Sequence, residues 1–371
     1  MAGFWTGMRG IATVPSYVIM QPTTLCNLDC AYCYLPFRAH DRRMPVEVAS
    51  AVAAAVNEWA RLVPRFSVVW HGGEPLAAGR DHLAALMAPF QGVEHHIQTN
   101  ATLIDDEWCT FLAEREVRVG LSIDGPADLT AQRVNRGGRP AYSQILRGAA
   151  ALRRHGIPFA ALCVVSDPRP GQAARLYEFF LEFGCYALGI NVEEREGVNR
   201  HDTGYLDDAV RAFWAELTAA WRADPRIELR EIEWALRYAG AALAGTDDQL
   251  LPRHLDPIPL VTEDGRVVLL SPELAGFTDP HYGDFASGRV TDTPLHEIVA
   301  AVAARPDGWI AEYLSGVEAC RAQCPYFGFC GGAHAANRYF EHGRFDGTQT
   351  DHCRNSKISL LEGVLDHARQ A

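Results

Sequence analysis

The chain has 371 residues, of which 48% are hydrophobic, a size that fits a large α/β unit joined to a smaller one. Its 34 basic and 46 acidic residues give a formal net charge of -12. That charge excludes nonspecific binding to nucleic acid or to an anionic membrane. A basic peptide would be a more compatible partner. The same charge is also typical of a surface whose acidity only keeps the protein soluble. Without a signal sequence or a long uncharged stretch, the chain is predicted to be cytoplasmic and not membrane-bound.

Short apolar or alternating runs predict six strands, at 16–21, 66–70, 93–98, 117–123, 157–165 and 186–192. Helical patterns follow them at 45–62, 80–90, 105–115, 141–155, 171–183 and 206–222. Six consecutive strand-helix units predict a parallel sheet covered by helices, in the form of a barrel or an incomplete barrel.

The strand-helix rhythm stops at about residue 236, where the chain becomes rich in Pro, Gly and Asp. One strand pair is predicted there, around the turn Glu263-Asp264-Gly265. We therefore predict an N-terminal extension over 1–15, a core over 16–235 and a smaller second domain over 236–371.

Polar or glycine-rich segments follow each predicted strand. In chain order they are the segment 23–36 with three cysteines, His71-Gly72-Gly73-Glu74-Pro75, Gln98-Thr99-Asn100, Ser122-Ile123-Asp124-Gly125-Pro126, Ser166, and Asn191 with Glu193 and Glu194. Loops at the carboxyl ends of parallel strands cluster on one side of a sheet or barrel. We expect these segments to surround one mouth.

The most informative segment contains Cys26, Cys30 and Cys33, spaced C-x3-C-x2-C. Three thiolates can hold iron but leave a four-iron cube with one open iron, which is a place for chemistry. A zinc site would need a fourth ligand such as Asp29 or His40. The isolated cysteines at 109, 163 and 185 lie in apolar segments and are expected to be packing residues.

Residues 16 to about 235 resemble the core of the radical SAM enzymes, through the cysteine spacing and the Gly-Gly-Glu turn after the second strand. The resemblance implies a 4Fe-4S cluster on Cys26, Cys30 and Cys33, S-adenosylmethionine on the open iron, and an electron donor such as flavodoxin or ferredoxin. It places Tyr32 near the adenine and Gly72, Gly73 and Glu74 at the methionine portion. It also implies positions near cofactor and substrate for Gln98, Asn100, Ser122, Asp124 and Arg133, although such polar residues can also cap the next helix.

A second group contains Cys320, Cys324, Cys330 and Cys353, a closed set of four ligands for an iron-sulfur cluster or for structural zinc. Its pattern C-x3-C-x5-C-G-G, after a radical SAM core, resembles a SPASM-type auxiliary domain, which implies a second 4Fe-4S cluster. Full SPASM domains commonly carry seven cysteines and two clusters, whereas this chain has no cysteine between Cys185 and Cys320. We therefore expect one auxiliary cluster, which counts against an anaerobic sulfatase maturase.

The segment CGGAHAANRYFEHGRF resembles the cyclophane-forming GrrM-like and FxsB-like peptide maturases. That resemblance implies a bond from an aromatic ring to the β-carbon of a nearby residue in a ribosomally made precursor peptide. The proton released needs a base within hydrogen-bond reach, and the candidates are Asp124, Glu193, His281 and Asp284. His334 and His352 are expected to support the cysteines instead.

Three alternatives stay open at this point. A maturase of the same superfamily could form thioethers or formylglycine, and a non-enzymatic protein could bind peptides around structural zinc. Leader-peptide recognition would use the core, the C-terminal domain or a separate leader-binding protein.

Overall fold

The protein is described by a computed structural model over residues 10–204 and 207–370. Ten strands in these residues form one sheet. They are β1 Tyr17–Met20, β2 Ser67–Trp70, β3 Glu94–Thr99, β4 Arg118–Ser122, β5 Phe159–Val165, β6 Ala187–Val192, β7 Glu228–Leu229, β8 Leu260–Val261, β9 Arg266–Val268 and β10 Gly288–Arg289.

The α-helices follow the strands in the first part of the chain and dominate the last part. They are α1 Val46–Trp59, α2 Arg80–Met87, α3 Asp106–Glu114, α4 Tyr142–Arg154, α5 Gln172–Phe183, α6 Asp207–Ala223, α7 Arg230–Ala244, α8 Leu295–Ala304, α9 Gly308–Gln323, α10 Phe327–Cys330, α11 Ala335–His342, α12 Asp351–Cys353 and α13 Ser359–Gln370. None of the described helices is long and apolar enough to cross a bilayer.

The sheet has the order β10-β9-β8-β1-β2-β3-β4-β5-β6-β7. Neighbours from β1 to β7 are parallel, β8 is parallel to β1, and β9 and β10 add two antiparallel pairings. The predicted α/β class is confirmed, with a mixed sheet in place of a purely parallel one. Closure into a TIM-type partial (β/α)6 barrel stays a prediction, since β10 and β7 are the two edges of the described sheet.

The six predicted strands and six predicted helices all form, with ends that differ from prediction by three residues or fewer. Hydrophobic periodicity is the reason, as the alternation along β5 shows: Phe159, Cys163 and Val165 are buried, and Ala160 and Leu162 between them are only half-buried. The side chain of Asp105 accepts from the amide of Trp108 and caps α3. Residue 206, the predicted start of α6, lies outside the described residues.

The predicted packing role of the isolated cysteines is confirmed, since Cys109, Cys163 and Cys185 are all buried in the hydrophobic core. No disulfide joins the cysteines, all ten of which are described and free. The other seven thiols all belong to the two cysteine groups described above.

Strand β8 and helix α13 are two of the places where the C-terminal part of the chain joins the core. Strand β8 pairs with β1, with Ile19 opposite Leu260, and forms the predicted hairpin with β9. Helix α13 packs against α6, where Arg211 binds Glu362 and Asp366. The predicted boundary at 235/236 lies inside α7 and stays a prediction, and residues 1–9 of the predicted extension lie outside the described residues.

Candidate active site and cysteine centres

The first cysteine group lies in the loop that follows β1, and all three of its side chains are half-buried. The Cys26 amide donates to the Arg38 carbonyl at 2.9 Å, and the Cys33 amide donates to the Cys30 carbonyl at 3.1 Å. From the opposite side, the Arg136 guanidinium donates twice to the Cys26 carbonyl, at 2.7 and 3.0 Å. The loop is thus held by its backbone, which leaves the thiols available for ligands.

Burial, and then the charge of Glu74, raise the pKa of the Cys26 thiol to about 12. Burial also raises the pKa of Cys30 to about 11 and the pKa of Cys33 above its usual value. These thiols are therefore protonated in the metal-free protein at neutral pH. Because a coordinating thiol is deprotonated, binding a metal centre here releases protons.

The glycine turn after β2 packs directly on the backbone that leads into the cysteine loop. Gly73 has φ +61°, and a Cβ placed on it would lie 2.6 Å from the Leu25 carbonyl oxygen. Gly72 has φ +93°, and a Cβ on it would meet the Gln21 side chain at 2.9 Å. Only glycine satisfies both the backbone conformation and the close approach.

Glu74 ties this turn to the end of β3. Its side chain is buried and accepts from the Leu76 amide at 3.0 Å, the Thr99 hydroxyl at 2.7 Å and the Asn100 amide at 2.8 Å. Burial raises the pKa of Glu74 to about 7, although these hydrogen bonds oppose the rise. With three protein donors, the Glu74 carboxylate holds the glycine turn in place. This structural role is additional to the contact with the methionine portion that the resemblance implies.

Asn100, directly after β3, reaches the cysteine loop. Its side-chain amide donates to the Asn27 side chain at 2.9 Å and lies 3.8 Å from the Cys26 sulfur. The Gln98 side-chain amide on β3 donates to the Ser122 hydroxyl at the end of the next strand, β4, at 2.8 Å. The expected convergence of strand ends is therefore present for β1 to β4.

Asp124 is the centre of a buried network. It accepts from the Tyr32 hydroxyl at 2.6 Å, from Arg133 through two bonds at 2.8 and 2.9 Å, and from the Val164 amide at 2.9 Å. The Arg133 guanidinium also lies 5.4 Å from the Tyr32 ring centre. Burial raises the pKa of Tyr32 well above its usual value. The Arg133 charge opposes this rise, and the Asp124 charge adds to it. Four donors occupy the carboxylate, so it connects the cysteine loop to β4 and β5 and has no free lone pair for a substrate proton.

The other predicted bases are in different surroundings. Glu193 is buried at the end of β6 and accepts from Asn199 at 2.9 Å, with His201 Nδ1 also at 2.9 Å. Asp284 is half-exposed. Its carboxylate lies 3.8 Å from the guanidinium of Arg266 on β9 and accepts a hydrogen bond from the Ala286 amide. His281 stacks edge-on against Tyr282, also in the C-terminal part. Glu193 is the one of these three that lies at the strand ends.

Glu194, which the sequence places after the sixth strand, belongs to a cluster of carboxylates whose contacts with later parts of the chain the sequence does not predict. The Asn337 amide donates to Glu194 and Glu196, both at 2.7 Å, and His352 Nδ1 lies 2.9 Å from Glu194. Burial alone raises the pKa of Glu194, but His352 and Asn337 outweigh it and lower that pKa to about 2. Burial and the Glu194 charge keep the pKa of Glu196 well above its usual value. The cluster links the end of β6 to α11 and to α12, which carries Cys353.

The second cysteine group is built on helices. Cys320 lies in α9, Cys324 follows the end of α9, Cys330 ends α10 and Cys353 ends α12. Cys320 and Cys353 are buried, and the other two are half-buried. Burial, and then the charges of Cys330, Cys324 and Cys320, raise the pKa of Cys353 to about 12. The Cys320 thiol also donates to the Thr348 carbonyl at 3.3 Å.

In the described residues, neither cysteine group has the geometry of a single-ion site. Within residues 10–204 and 207–370, no three His, Cys, Asp or Glu side chains are arranged to hold one metal ion. A four-iron cluster binds each thiolate to a different iron, so its ligands need not converge on one point. Asp29, a candidate fourth zinc ligand at the first group, instead pairs with Arg38 at 2.7 Å.

Two cavities adjoin the strand ends and the inner face of the sheet. One, of about 440 Å³, is lined by Asp124, Gln132, Val164 and neighbouring residues of the loop after β5. The other, of about 660 Å³, extends from Gln98 along β4, β5 and β6 to α7. Both volumes lie in the range of ligand-binding pockets.

Comparison with known proteins identifies the family. Residues 20–174 match the model of the radical SAM superfamily. An uncharacterised protein of Synechocystis sp. is 31% identical over 369 residues, which cover 94% of this chain and 90% of that protein. The chain belongs to the radical SAM superfamily.

Curated relatives with named activities match only part of the chain. A serine-type anaerobic sulfatase-maturating enzyme of Bacteroides thetaiotaomicron is 33% identical over 187 residues, 47% of this chain and 45% of that enzyme. A cysteine-type enzyme of Clostridium perfringens is 31% identical over 45% of this chain and 48% of that enzyme. The chain thus spans about half the length of these enzymes.

Solved structures extend the likeness in fold to nearly the whole chain. A structure of native anSMEcpe with bound AdoMet and a Cp18Cys peptide has a TM-score of 0.71 at 20% identity, covering 95% of this chain and 96% of that one. SuiB of Streptococcus suis, bound to its precursor peptide SuiA, has a TM-score of 0.63 at 15% identity, covering 92% of this chain and 76% of that one. At these identities the likeness shows the radical SAM fold.

Membership settles the cofactors: the enzyme uses S-adenosylmethionine with a 4Fe-4S cluster, and relatives of the SPASM type carry auxiliary clusters. The structure brings together most residues implied at the cofactor: the cysteine loop with Tyr32, the Gly-Gly-Glu turn, Asn100, Asp124 and Arg133 form one contact network. Gln98 and Ser122 pair beside it on the inner face. Asp284 and the C-terminal cysteines lie in the later part of the chain.

Proposed function

We propose that the protein is a peptide maturase that forms a carbon-carbon crosslink between an aromatic side chain and the β-carbon of a nearby residue. The observation that carries this proposal is the pairing of two different thiol centres in one fold. A three-cysteine loop sits in a polar network at the strand ends, and a four-cysteine centre is built on α9, α10 and α12. The first suits radical initiation, and the second suits acceptance of an electron.

In this proposal Cys26, Cys30 and Cys33 hold the cluster that binds S-adenosylmethionine, and together these groups supply a 5'-deoxyadenosyl radical. Gly72 and Gly73 let the backbone approach the methionine portion, and Glu74 fixes their turn through its three donors. Tyr32 and Arg133, held by Asp124, form the side of the site toward β4 and β5. Gln98, Asn100 and Ser122 supply polar contacts for cofactor or substrate.

The substrate is proposed to be a ribosomally made precursor peptide. Two structural relatives, anSMEcpe and SuiB, contain a bound peptide, and the interior cavity of about 660 Å³ offers space for a peptide segment here. Its walls include Gly120 and Gly189, where the lack of a side chain leaves room for the side chains of Gln98 and Arg230. A leader could bind the core, the C-terminal part or a separate protein.

The crosslink removes two hydrogens from the peptide. One leaves as a hydrogen atom from the β-carbon, and the other leaves the aromatic ring as a proton and an electron. Glu193 is the best placed proton acceptor, because it lies buried at the end of β6 with His201 beside it. The electron goes to a one-electron acceptor of the iron-sulfur or flavodoxin type.

Formylglycine generation is the second candidate, favoured by the identity of 30 to 34% with anaerobic sulfatase-maturating enzymes over the core. The absence of any cysteine between Cys185 and Cys320 argues against it, because the C-terminal cysteines then support one cluster. A thioether linkage requires a cysteine in the peptide, so the substrate sequence separates that product.

The test is an anaerobic reaction of the reconstituted enzyme, S-adenosylmethionine and dithionite with candidate peptides that contain Trp, Phe or Tyr. We expect 5'-deoxyadenosine and a peptide lighter by two hydrogens, with fragmentation blocked between the two joined residues in tandem mass spectrometry. A product that reacts with a hydrazide would instead contain an aldehyde and establish formylglycine. A wild-type enzyme that forms no 5'-deoxyadenosine would overturn both candidates.

A further inference from the structure

Arg338, on α11, is a cation buried beside the second cysteine group. Only 1% of its surface is exposed. Its guanidinium donates to the carbonyl oxygens of Gly332 at 2.6 Å, Phe345 at 3.0 Å and Tyr313 at 3.3 Å. It also lies 5.0 Å from the Tyr313 ring centre and donates to the Cys320 sulfur at 3.5 Å.

The chain makes room for this guanidinium. A Cβ placed on Gly316 of α9 would collide with Arg338 Nη1, and it would also lie 2.8 Å from the Asp346 Cα and 2.9 Å from the Phe345 carbonyl oxygen. Gly316 has no unusual backbone conformation, so this close packing is the physical reason for a glycine in the middle of a helix, where glycine is otherwise unfavourable. The position is therefore a built site for the Arg338 cation.

A guanidinium cannot lose its proton in a protein, so Arg338 keeps its charge inside the fold. Among the described residues, no carboxylate forms an ion pair with Arg338, unlike Arg133 and Arg211, which pair with Asp124 and Glu362. Three of its partners are neutral carbonyl groups. The Cys320 sulfur is the one partner that can become an anion, and a buried cation without an anion is strongly destabilising.

We infer that Arg338 is the counter-cation of the C-terminal thiolate centre and raises the reduction potential of the cluster held there. This inference rests on the proposed assignment of Cys320, Cys324, Cys330 and Cys353 as cluster ligands. A positive charge and a hydrogen bond to a ligand sulfur stabilise the reduced cluster, which is the more negative state. Arg338 is thus a positioning and tuning residue and does not touch the substrate.

The experiment isolates the C-terminal centre in the full-length chain by changing Cys26, Cys30 and Cys33 to alanine. The reduction potential of the remaining cluster is then measured by electron paramagnetic resonance during a redox titration. We expect Arg338→Gln to lower the potential and Arg338→Lys to lower it less, because lysine keeps the charge but loses the fork of donors. The matched control is Arg344→Gln, an exposed arginine that pairs with Asp346, which leaves the potential unchanged.

Gly316→Ala tests the same inference without altering residue 338. The added methyl group must move the guanidinium and the Phe345–Asp346 backbone that binds it, so the potential is expected to fall as it does in Arg338→Gln. Loss of iron from a folded Arg338→Gln chain, with iron retained in Arg338→Lys, also supports the counter-cation. An unchanged potential in Arg338→Gln and Gly316→Ala, or zinc in place of iron at this centre, overturns the inference.

Failure of the inference and failure of the proposed function are distinguishable. The potential and the metal content are measured without any peptide. A shifted potential in an enzyme that crosslinks no peptide leaves the role of Arg338 intact, whereas crosslinking by a chain with an unshifted potential leaves the proposed function intact.

Discussion

The two cysteine centres differ in how the chain presents its thiols. The first is a loop of three half-buried thiols at the strand ends, and its neighbours are the neutral amide of Asn100 and a glycine turn. The second places four thiols on or beside helices, two of them buried, with the Arg338 cation against one sulfur. An incomplete set of three thiols leaves one iron of a four-iron cluster open for substrate chemistry, and a complete set beside a buried charge suits electron transfer.

This comparison also separates the supports of the two centres. At the first, a buried aspartate collects donors from Tyr32, Arg133 and the β5 backbone. At the second, a buried arginine donates to three carbonyl groups and a sulfur. One centre is organised around an anion and the other around a cation.

The largest expected effect comes from removing the first centre alone. Replacing Cys26, Cys30 and Cys33 by alanine should abolish 5'-deoxyadenosine formation, because no other thiols lie in that loop. Iron should fall from about eight to about four atoms per chain, since each cluster holds four. Iron analysis and chromatography of the nucleoside check both points. Complete loss of iron would show that the two centres are not independent, and the comparison would then fail.

A second prediction concerns the aspartate that organises the first centre. Asp124→Asn leaves the buried Arg133 charge without its partner and should destabilise the protein by about 3–5 kcal/mol. Asp128→Asn is the matched control, because Asp128 pairs with Arg175 at 2.7 Å on the exposed surface. That control should cost less than about 1 kcal/mol. Denaturant unfolding of both variants measures the difference, and equal losses would remove Asp124 from its central role.

A third prediction uses the pKa of Glu74 near the first centre. Because burial raises its folded-state pKa to about 7 from an ordinary 4.5, its contribution to stability is complete below about pH 4.5 and is lost as the pH rises through 7. The loss should reach about 3 kcal/mol at pH 8. Glu74→Gln should therefore have a flatter stability profile between pH 5 and 8 in urea unfolding. An identical slope in the variant would assign the pH dependence to other groups.

The smallest predicted effect tests the contact between the glycine turn and the cysteine loop. Gly73→Ala brings a Cβ to 2.6 Å from the Leu25 carbonyl, so overpacking should cost about 1–3 kcal/mol beyond backbone strain. Gly79→Ala is the control, since Gly79 also has a positive φ but its Cβ would meet open space. Thermal unfolding and S-adenosylmethionine binding should both separate the variants. Weaker binding in Gly79→Ala than in Gly73→Ala would contradict the proposed contact.

The sequence predicts the repeating part of the fold well, because alternation along strands such as β5 and the amphipathic helices between them are local patterns. The three cysteines of the first loop and the glycine turn are also local motifs. The pairing of β8 with β1 places Ile19 opposite Leu260, and no local sequence pattern predicts a contact between residues so far apart in the chain.

The roles of several side chains are equally invisible in the sequence. Asp124 is a reasonable base by position, but Val164, forty residues later, and Arg133 occupy its oxygens in the fold. Arg338 looks like any arginine on a short helix until Gly316 and Cys320 are placed against it. Such roles depend on which elements pack together, and that is decided by tertiary structure.

The pairing of β1 with β8 has a consequence for how the protein is made. Strand β1 is synthesised about 240 residues before its partner at Leu260–Val261. Contacts so distant along the chain close slowly, because the entropy of the intervening loop must be lost first. The edge of β1 that pairs with β8 therefore stays unpaired until β8 has been synthesised, beside the cysteine loop that directly follows β1.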